Sequence, residues 1–285
     1  MELLLNAIEW DVSPEIVKLG PITLRWYGLL FASGFLIGLY IVRRMFLEEK
    51  APEEWLDKAF VYVVVGAVLG ARLGHVFFYD WDYYSQHLSE IPKVWRGGLA
   101  SHGGAIGIIL ALYIFSRVVS KKSILWILDK VVVPTALAGC FIRLGNLMNS
   151  EIYGKPADVA WAFTFIRTDN LNPAVPRHPV QLYESISYLI SFFILYWVYW
   201  NTEKRKKPGY IFGLFLVLIF GFRILMEYFK ESQGGFESAF NNVMSTGQLL
   251  SIPFVLIGLY FILRPYTPPA KTEKSRKSVV KKKKS

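Results

Sequence analysis

The chain has 285 residues, 53% of them hydrophobic and 16% aromatic, and a mean hydropathy of +0.34. Those values, with long uncharged runs, exclude an ordinary soluble domain and indicate a polytopic membrane protein. The formal net charge of +10 invites a nucleic-acid reading, but most Lys and Arg lie in short loops between apolar runs and in the tail 271–284, a pattern that fits anionic lipid headgroups and not nucleic acid.

Residues 1–20 begin with a short apolar run but carry Glu2, Glu9, Asp11 and Glu15 and no positive leading segment, so no cleavable signal peptide is expected. Seven spans follow, each of the roughly 17 to 25 residues that a hydrocarbon core of about 30 Å requires. They cover 22–42, 55–78, 99–119, 124–147, 180–200, 210–229 and 246–263. Asp129 and Lys130 interrupt the fourth and are expected to mark its aqueous end. Of the 32 basic residues, 21 fall on the side that holds Arg43, Lys121, Lys204 and the tail. That side is cytoplasmic by the positive-inside rule, and the N-terminus is outside.

The two longest outside segments are 79–98 and 148–179. The second is rich in Pro and Asn, has strand character at 161–165, and is expected to form a small periplasmic cap. The fold class is therefore an all-α polytopic membrane protein of seven transmembrane helices. Residues 1–265 form one membrane domain that includes the cap, and 266–285 form a disordered basic cytoplasmic tail. The single cysteine, Cys140, rules out an intramolecular disulfide and reads as an inert packed thiol. The lipobox-like run Leu137-Ala138-Gly139-Cys140 lies mid-span and is coincidental.

The stretch from Ile142 to Gly154 closes the fourth span and opens a polar loop. Arg143 and Asn146 share a helical face at i, i+3, and Asn149 and Glu151 follow. Arg25, Arg72 and Arg223 also fall in the outer half of the bilayer, Arg72 about 9 Å deep at 1.5 Å per residue. His75, His102, Gln181, Glu184 and Glu227 accompany them, Glu227 at ion-pair spacing from Arg223. Ionisable groups cost several kcal/mol inside a membrane and usually mark a site. Snorkelling to the interface accounts for Arg25 but not for the accompanying His, Gln and Glu.

Arginines outnumber acids in this reading. Guanidinium forks match phosphate oxygens, so a chamber for a phospholipid headgroup is expected. No metal-ligand cluster, P-loop or nucleophile elbow appears among the motifs. His102 suits proton transfer near neutrality or serves as a structural His. Tyr27 either donates to phosphate or sits in an aromatic interface belt. Gln248 and Ser251 either line the chamber or bond helix to helix.

The ordered stretches resemble the prolipoprotein diacylglyceryl transferase family over all seven spans. Arg143, Gly145, Asn146, Asn149, Glu151 and Gly154 match its signature G-R-x-G-N-F-x-N-x-E-x-x-G, with Ile142 and Leu147 replacing the first Gly and the Phe. Further matches are Arg25-Trp26-Tyr27-Gly28, Ser101-His102-Gly103-Gly104, the run from Arg177 to Glu184, Phe222-Arg223 with Glu227, and the run from Gly247 to Pro253. The resemblance implies a bacterial inner-membrane enzyme, active toward the periplasmic side. It would transfer the sn-1,2-diacylglyceryl group of phosphatidylglycerol to the lipobox cysteine of a prolipoprotein signal peptide, forming a thioether and releasing glycerol phosphate, with no cofactor or metal. This is the first step of lipoprotein maturation.

In that reaction His102 would be the base, with Arg143 or a substrate-side group as alternatives. Arg143 and Arg223 would clamp the phosphate. Arg25, Tyr27, Arg72, Asn146, Asn149, Glu151, Gly154, Gln181, Tyr183, Glu184 and Glu227 would bind or orient substrate. The rival is a lipid or anion transporter or flippase, which the lack of an evident inverted repeat weakens. An intramembrane protease has no catalytic pair to support it.

Overall fold

The structure is a computed structural model that describes residues 7–168, 175–231 and 244–266; the basic tail expected beyond 266 lies outside them. Apolar runs bounded by Gly, Pro and charged turns become helices α1 (Trp26–Glu48), α2 (Glu54–Phe78), α4 (Ser101–Phe115), α5 (Ile124–Met148), α6 (Val180–Asn201), α7 (Tyr210–Met226) and α8 (Thr246–Leu263). A short α3 (Trp81–Gln86) lies in the loop after α2. Six of the described helices are long and apolar enough to cross a membrane, α4 together with its π-helical last turn. The 17-residue α7 is shorter, about 25 Å at 1.5 Å per residue.

The first span starts later than expected. Residues 22–25 form strand β3 (Ile22–Arg25), which pairs antiparallel with β2 (Glu15–Leu19) across the turn at Gly20 and Pro21. Gly20 takes a φ of +60°, which a side chain would disfavour. The sixth span ends at Met226 and not at Phe229, because residues beyond it join the cap. Lys155 N–H donates to the Phe229 carbonyl at 2.8 Å, and Gly154 bridges to Lys230. The strand expected at 161–165 is β4 (Phe163–Phe165). It pairs in parallel with β1 (Ile8–Trp10), so the N-terminal segment is part of the cap. The Trp10 indole donates to the Leu147 carbonyl at the end of α5 at 3.0 Å.

Asp129 and Lys130 do not mark an aqueous end: both are buried. The Asp129 carboxylate accepts N–H bonds from Gly209 at 2.6 Å and Phe212 at 2.8 Å, capping the start of α7 from a different helix. Those N–H groups are unsatisfied by the helix itself, and α7 has no cap from its own side chains. Lys130 pairs with Glu49, just past the end of α1, at 2.9 Å. An Asp129→Ala protein is expected to lose about 1–3 kcal/mol of stability through orphaned donors, read as a lower thermal midpoint in detergent, with Asp129→Asn intermediate.

Helices α2 and α4 meet along a glycine seam. Gly66, Gly70 and Gly74 recur every four residues on α2, facing Gly103, Gly107 and Ala111 on α4. A Cβ at Gly66 would lie 2.6 Å from the Gly107 carbonyl, and one at Gly74 2.7 Å from Gly103 Cα. With no hydrophobic drive between helices in lipid, such backbone proximity is what holds a pair together.

A second unit joins α1, α5, α6 and α7 through Met45, Val133, Leu195, Tyr199 and Ile211. The two units meet near the end opposite the cap, where Phe46, Leu56, Phe115 and Ile127 form a shared cluster. Above that cluster an apolar cleft of about 290 Å³ opens between α1, α2, α4 and α5, lined by Phe35, Phe60, Val63, Ile108 and Pro134 among others.

Candidate active site

Helix α5 ends in a polar knot beneath the cap. Arg143, one turn before the end, places its Nε 2.8 Å from Glu184 Oε2 on α6 and donates from Nη1 to Asn146 Oδ1 at 3.3 Å. Asn146 passes the link on, donating from Nδ2 to Glu151 Oε1 at 2.7 Å; Asn149 donates to the same oxygen at 3.2 Å. Glu151 turns back under the helix end because Ser150 and Ile152 both take left-handed backbone, at φ 53° and 58°. For a β-branched residue such as Ile152 that conformation is strained, a feature often found at functional sites. Gln181, fully buried at the start of α6, donates to the Glu151 backbone carbonyl at 2.8 Å.

Tyr27 reaches this knot from α1. Its ring lies where a Cβ on Gly145 would be, 2.7 Å from Cδ2, so the glycine admits the tyrosine. From α7, Arg223 approaches Glu227 at 3.9 Å. The Glu227 carboxylate also accepts from Ser245 Oγ, the N-cap of α8, at 3.0 Å, and its charge is favoured at that helix N-terminus. Glu184 is buried and Glu227 is partly so, and Lys230 lies between them at 3.9 and 3.8 Å.

Arg143, Tyr27, Asn146, Asn149, Glu151, Gln181, Glu184, Arg223 and Glu227 thus converge. Gly154 stands just beyond, where a Cβ would lie 2.6 Å from the His178 carbonyl, so the cap closes on it without room for a side chain.

Four expected residues lie elsewhere. Arg25 is exposed at the edge of β3, 3.4 Å from Glu15. Arg72 is buried, but its guanidinium is engaged by the carbonyls of Glu90, Ile91, Gly97 and Gly98, at 2.7 to 3.2 Å, with the ring of Tyr84 4.8 Å away. It braces the loop 88–98, where Lys93 and then Arg96 hold the Glu90 carboxyl below its ordinary range. Tyr183 accepts from the Trp161 indole at 2.7 Å, beside His178. Both line a separate apolar groove of about 500 Å³ between α6, α7 and the cap. His102 is exposed near the start of α4, in the helical unit across the apolar cleft from Arg143.

The convergent knot therefore holds three cations, Arg143, Arg223 and Lys230, against three carboxylates, Glu151, Glu184 and Glu227. The expected excess of arginine over acid is not what the structure assembles, because Arg25 and Arg72 are engaged elsewhere. Lys230 and Ser245 were missed in the sequence. Lys230 follows Glu227 by three, a spacing that could have revealed it. Ser245 and Gln248 form a capping box, a signature readable before α8. Gln248 donates to the Ile224 carbonyl of α7, and Ser251 to the Gly247 carbonyl of its own helix.

Residues 14–264 match the family model described as prolipoprotein diacylglyceryl transferase. A relative from Tolumonas auensis is 48% identical over 254 residues, 89% of this chain and 96% of its own. One from Chloroherpeton thalassium is 49% identical over 259 residues, 91% and 94% of the two chains. One from Porphyromonas gingivalis is 45% identical over 271 residues, 92% and 96%. Each is named phosphatidylglycerol–prolipoprotein diacylglyceryl transferase.

Proposed function

The chain belongs to the prolipoprotein diacylglyceryl transferase family, and from that premise we propose how its residues carry out the transfer. The substrates are phosphatidylglycerol and a prolipoprotein whose signal peptide bears a lipobox cysteine. The protein acts as a multi-pass enzyme of the bacterial inner membrane, with the cap and the polar knot on the periplasmic side. The observation that carries the reading is the placement of two arginines from different helices, Arg143 and Arg223, in one polar knot at the cap end of an otherwise apolar bundle.

The step is a displacement at carbon. The cysteine thiolate forms a C–S bond to the glycerol CH2 that carries the phosphate ester. That C–O bond breaks, and glycerol phosphate leaves with the bonding electron pair. A free thiol has a pKa of about 8.5, so a base is needed; His102, carried on α4 across the cleft from Arg143, takes the proton of a thiol that enters between the two helical units. Arg143 and Arg223 hold the phosphate and stabilise the charge it gains. Asn146 and Glu151 fix the orientation of Arg143, and Tyr27 closes the α1 side. Arg72 acts at one remove, holding the loop 88–98 beside the start of α4.

The test is transfer by the purified protein with phosphatidylglycerol in liposomes and a lipobox peptide, beside its Cys→Ala control. A mass gain of one diacylglyceryl unit on the cysteine peptide alone is expected. In the same assay His102→Gln should lose activity most steeply at low pH, where thiolate is scarce. No adduct from folded, lipid-bound protein would overturn the proposal.

A further inference from the structure

Lys230 has no place in the reaction as derived so far, yet it sits inside the knot. Its side chain is 7% exposed, and its ammonium lies 3.9 Å from Glu184 Oε1 and 3.8 Å from Glu227 Oε1. Both distances exceed a hydrogen bond, so it is shared between two acids and seated on neither. Those are the same two acids that pair with the arginines, Glu184 with Arg143 and Glu227 with Arg223. The Lys230 backbone is fixed: it bridges to Gly154 in the cap, and the neighbouring Phe229 carbonyl accepts from Lys155. Only the flexible four-carbon stem is free to redirect the charge.

The charge balance gives this position a consequence. A phosphate entering between Arg143 and Arg223 competes with Glu184 and Glu227 for the same guanidinium groups. Drawing an arginine off a buried carboxylate leaves an uncompensated charge, which is strongly unfavourable. Ser245 relieves Glu227 in part, and the N-terminus of α8 does so too. Glu184 has no such neighbour on α8; beyond Arg143, its cationic neighbour in the described residues is Lys230.

We propose that Lys230 is a positioning residue that takes over Glu184 and Glu227 when a substrate phosphate engages Arg143 and Arg223. This rests on the phosphate-clamp reading above and extends it, since it makes lipid binding an exchange of ion-pair partners within a neutral cluster. Lys230 itself need not touch the substrate.

The experiment compares full-length wild type, Lys230→Met, Lys230→Arg and the charge-compensated pair Lys230→Met with Glu227→Gln. Measured are KM for phosphatidylglycerol, kcat, inhibition by glycerol phosphate and the thermal midpoint. Lys230→Met is expected to raise both KM and the glycerol phosphate inhibition constant by about tenfold or more, with a smaller fall in kcat. Lys230→Arg should restore most of the loss, and the compensated pair should bind lipid better than Lys230→Met alone.

Unchanged KM and inhibition in a folded Lys230→Met protein would overturn the proposal. So would a loss shared by Lys230→Arg and the compensated pair alongside a lowered thermal midpoint, which marks a purely structural lysine. If wild type itself turns over but is not inhibited by glycerol phosphate, the clamp fails and the exchange fails with it. Inhibition of wild type with no change in Lys230→Met sinks the exchange alone.

Discussion

An Arg143→Ala protein is expected to insert, fold and yet show a transfer rate at least about a hundred- to a thousand-fold below wild type, the scale on which single charge-stabilising donors act. Its contacts with Glu184 and Asn146 end together. Glu184 loses its 2.8 Å partner, Asn146 loses a donor, and the chain of bonds through Asn146 to Glu151 is left hanging at one end. The clamp also drops from two arginines to one at the moment the phosphate gains charge.

Arg143→Lys should recover little. An ammonium restores the charge but cannot present the planar fork that meets Glu184 and Asn146 together. The two variants are read by adduct mass on a lipobox peptide and by thermal unfolding in the same detergent. Near-normal turnover by a folded Arg143→Ala protein would remove Arg143 from the reaction.

The second large effect is on architecture. Gly107→Leu should force α2 and α4 apart, because the seam has no space even for a methyl group. Overpacking a rigid contact costs about 1–3 kcal/mol, and more when the obstacle is backbone. The expected result is a sharply lowered thermal midpoint together with lost transfer, since His102 is carried by the displaced helix. Gly221→Ala on α7 is the contrast: a Cβ there meets nothing within 4 Å, and alanine favours the helix. Equal stability of both variants would mean that the seam does not hold the pair.

The helices were legible because a bilayer imposes one length and one composition on every span. The signature around Arg143 was legible because its polar residues lie within a few turns of each other and remain together in space. Arg72 shows the limit. An arginine six residues inside an apolar span looks the same whether it faces a substrate or four loop carbonyls, and only the path of 88–98 decides between them. Lys230 was hidden by the same blindness in reverse, since a basic residue just past a span resembles any interfacial cation. Asp129 read as solvent-facing because its partners, the amides at Gly209 and Phe212, are 80 residues and more away in sequence. Strand β3 of the hairpin was taken up into the first span, since hydropathy does not separate an apolar strand from the helix that follows it.

The cleft between α1, α2, α4 and α5 behaves differently here from the way it would in water. An empty apolar wedge in a soluble protein is driven shut, because water gains by expelling its walls. Hydrocarbon wets Phe35, Phe60 and Ile108 as readily as they wet one another, so no such drive exists in a bilayer. The two helical units can therefore stay parted at one end while joined at the other, with acyl chains as ordinary filling. The width of the wedge then answers to the solvent that fills it, and exchanging bilayer for detergent changes that solvent directly.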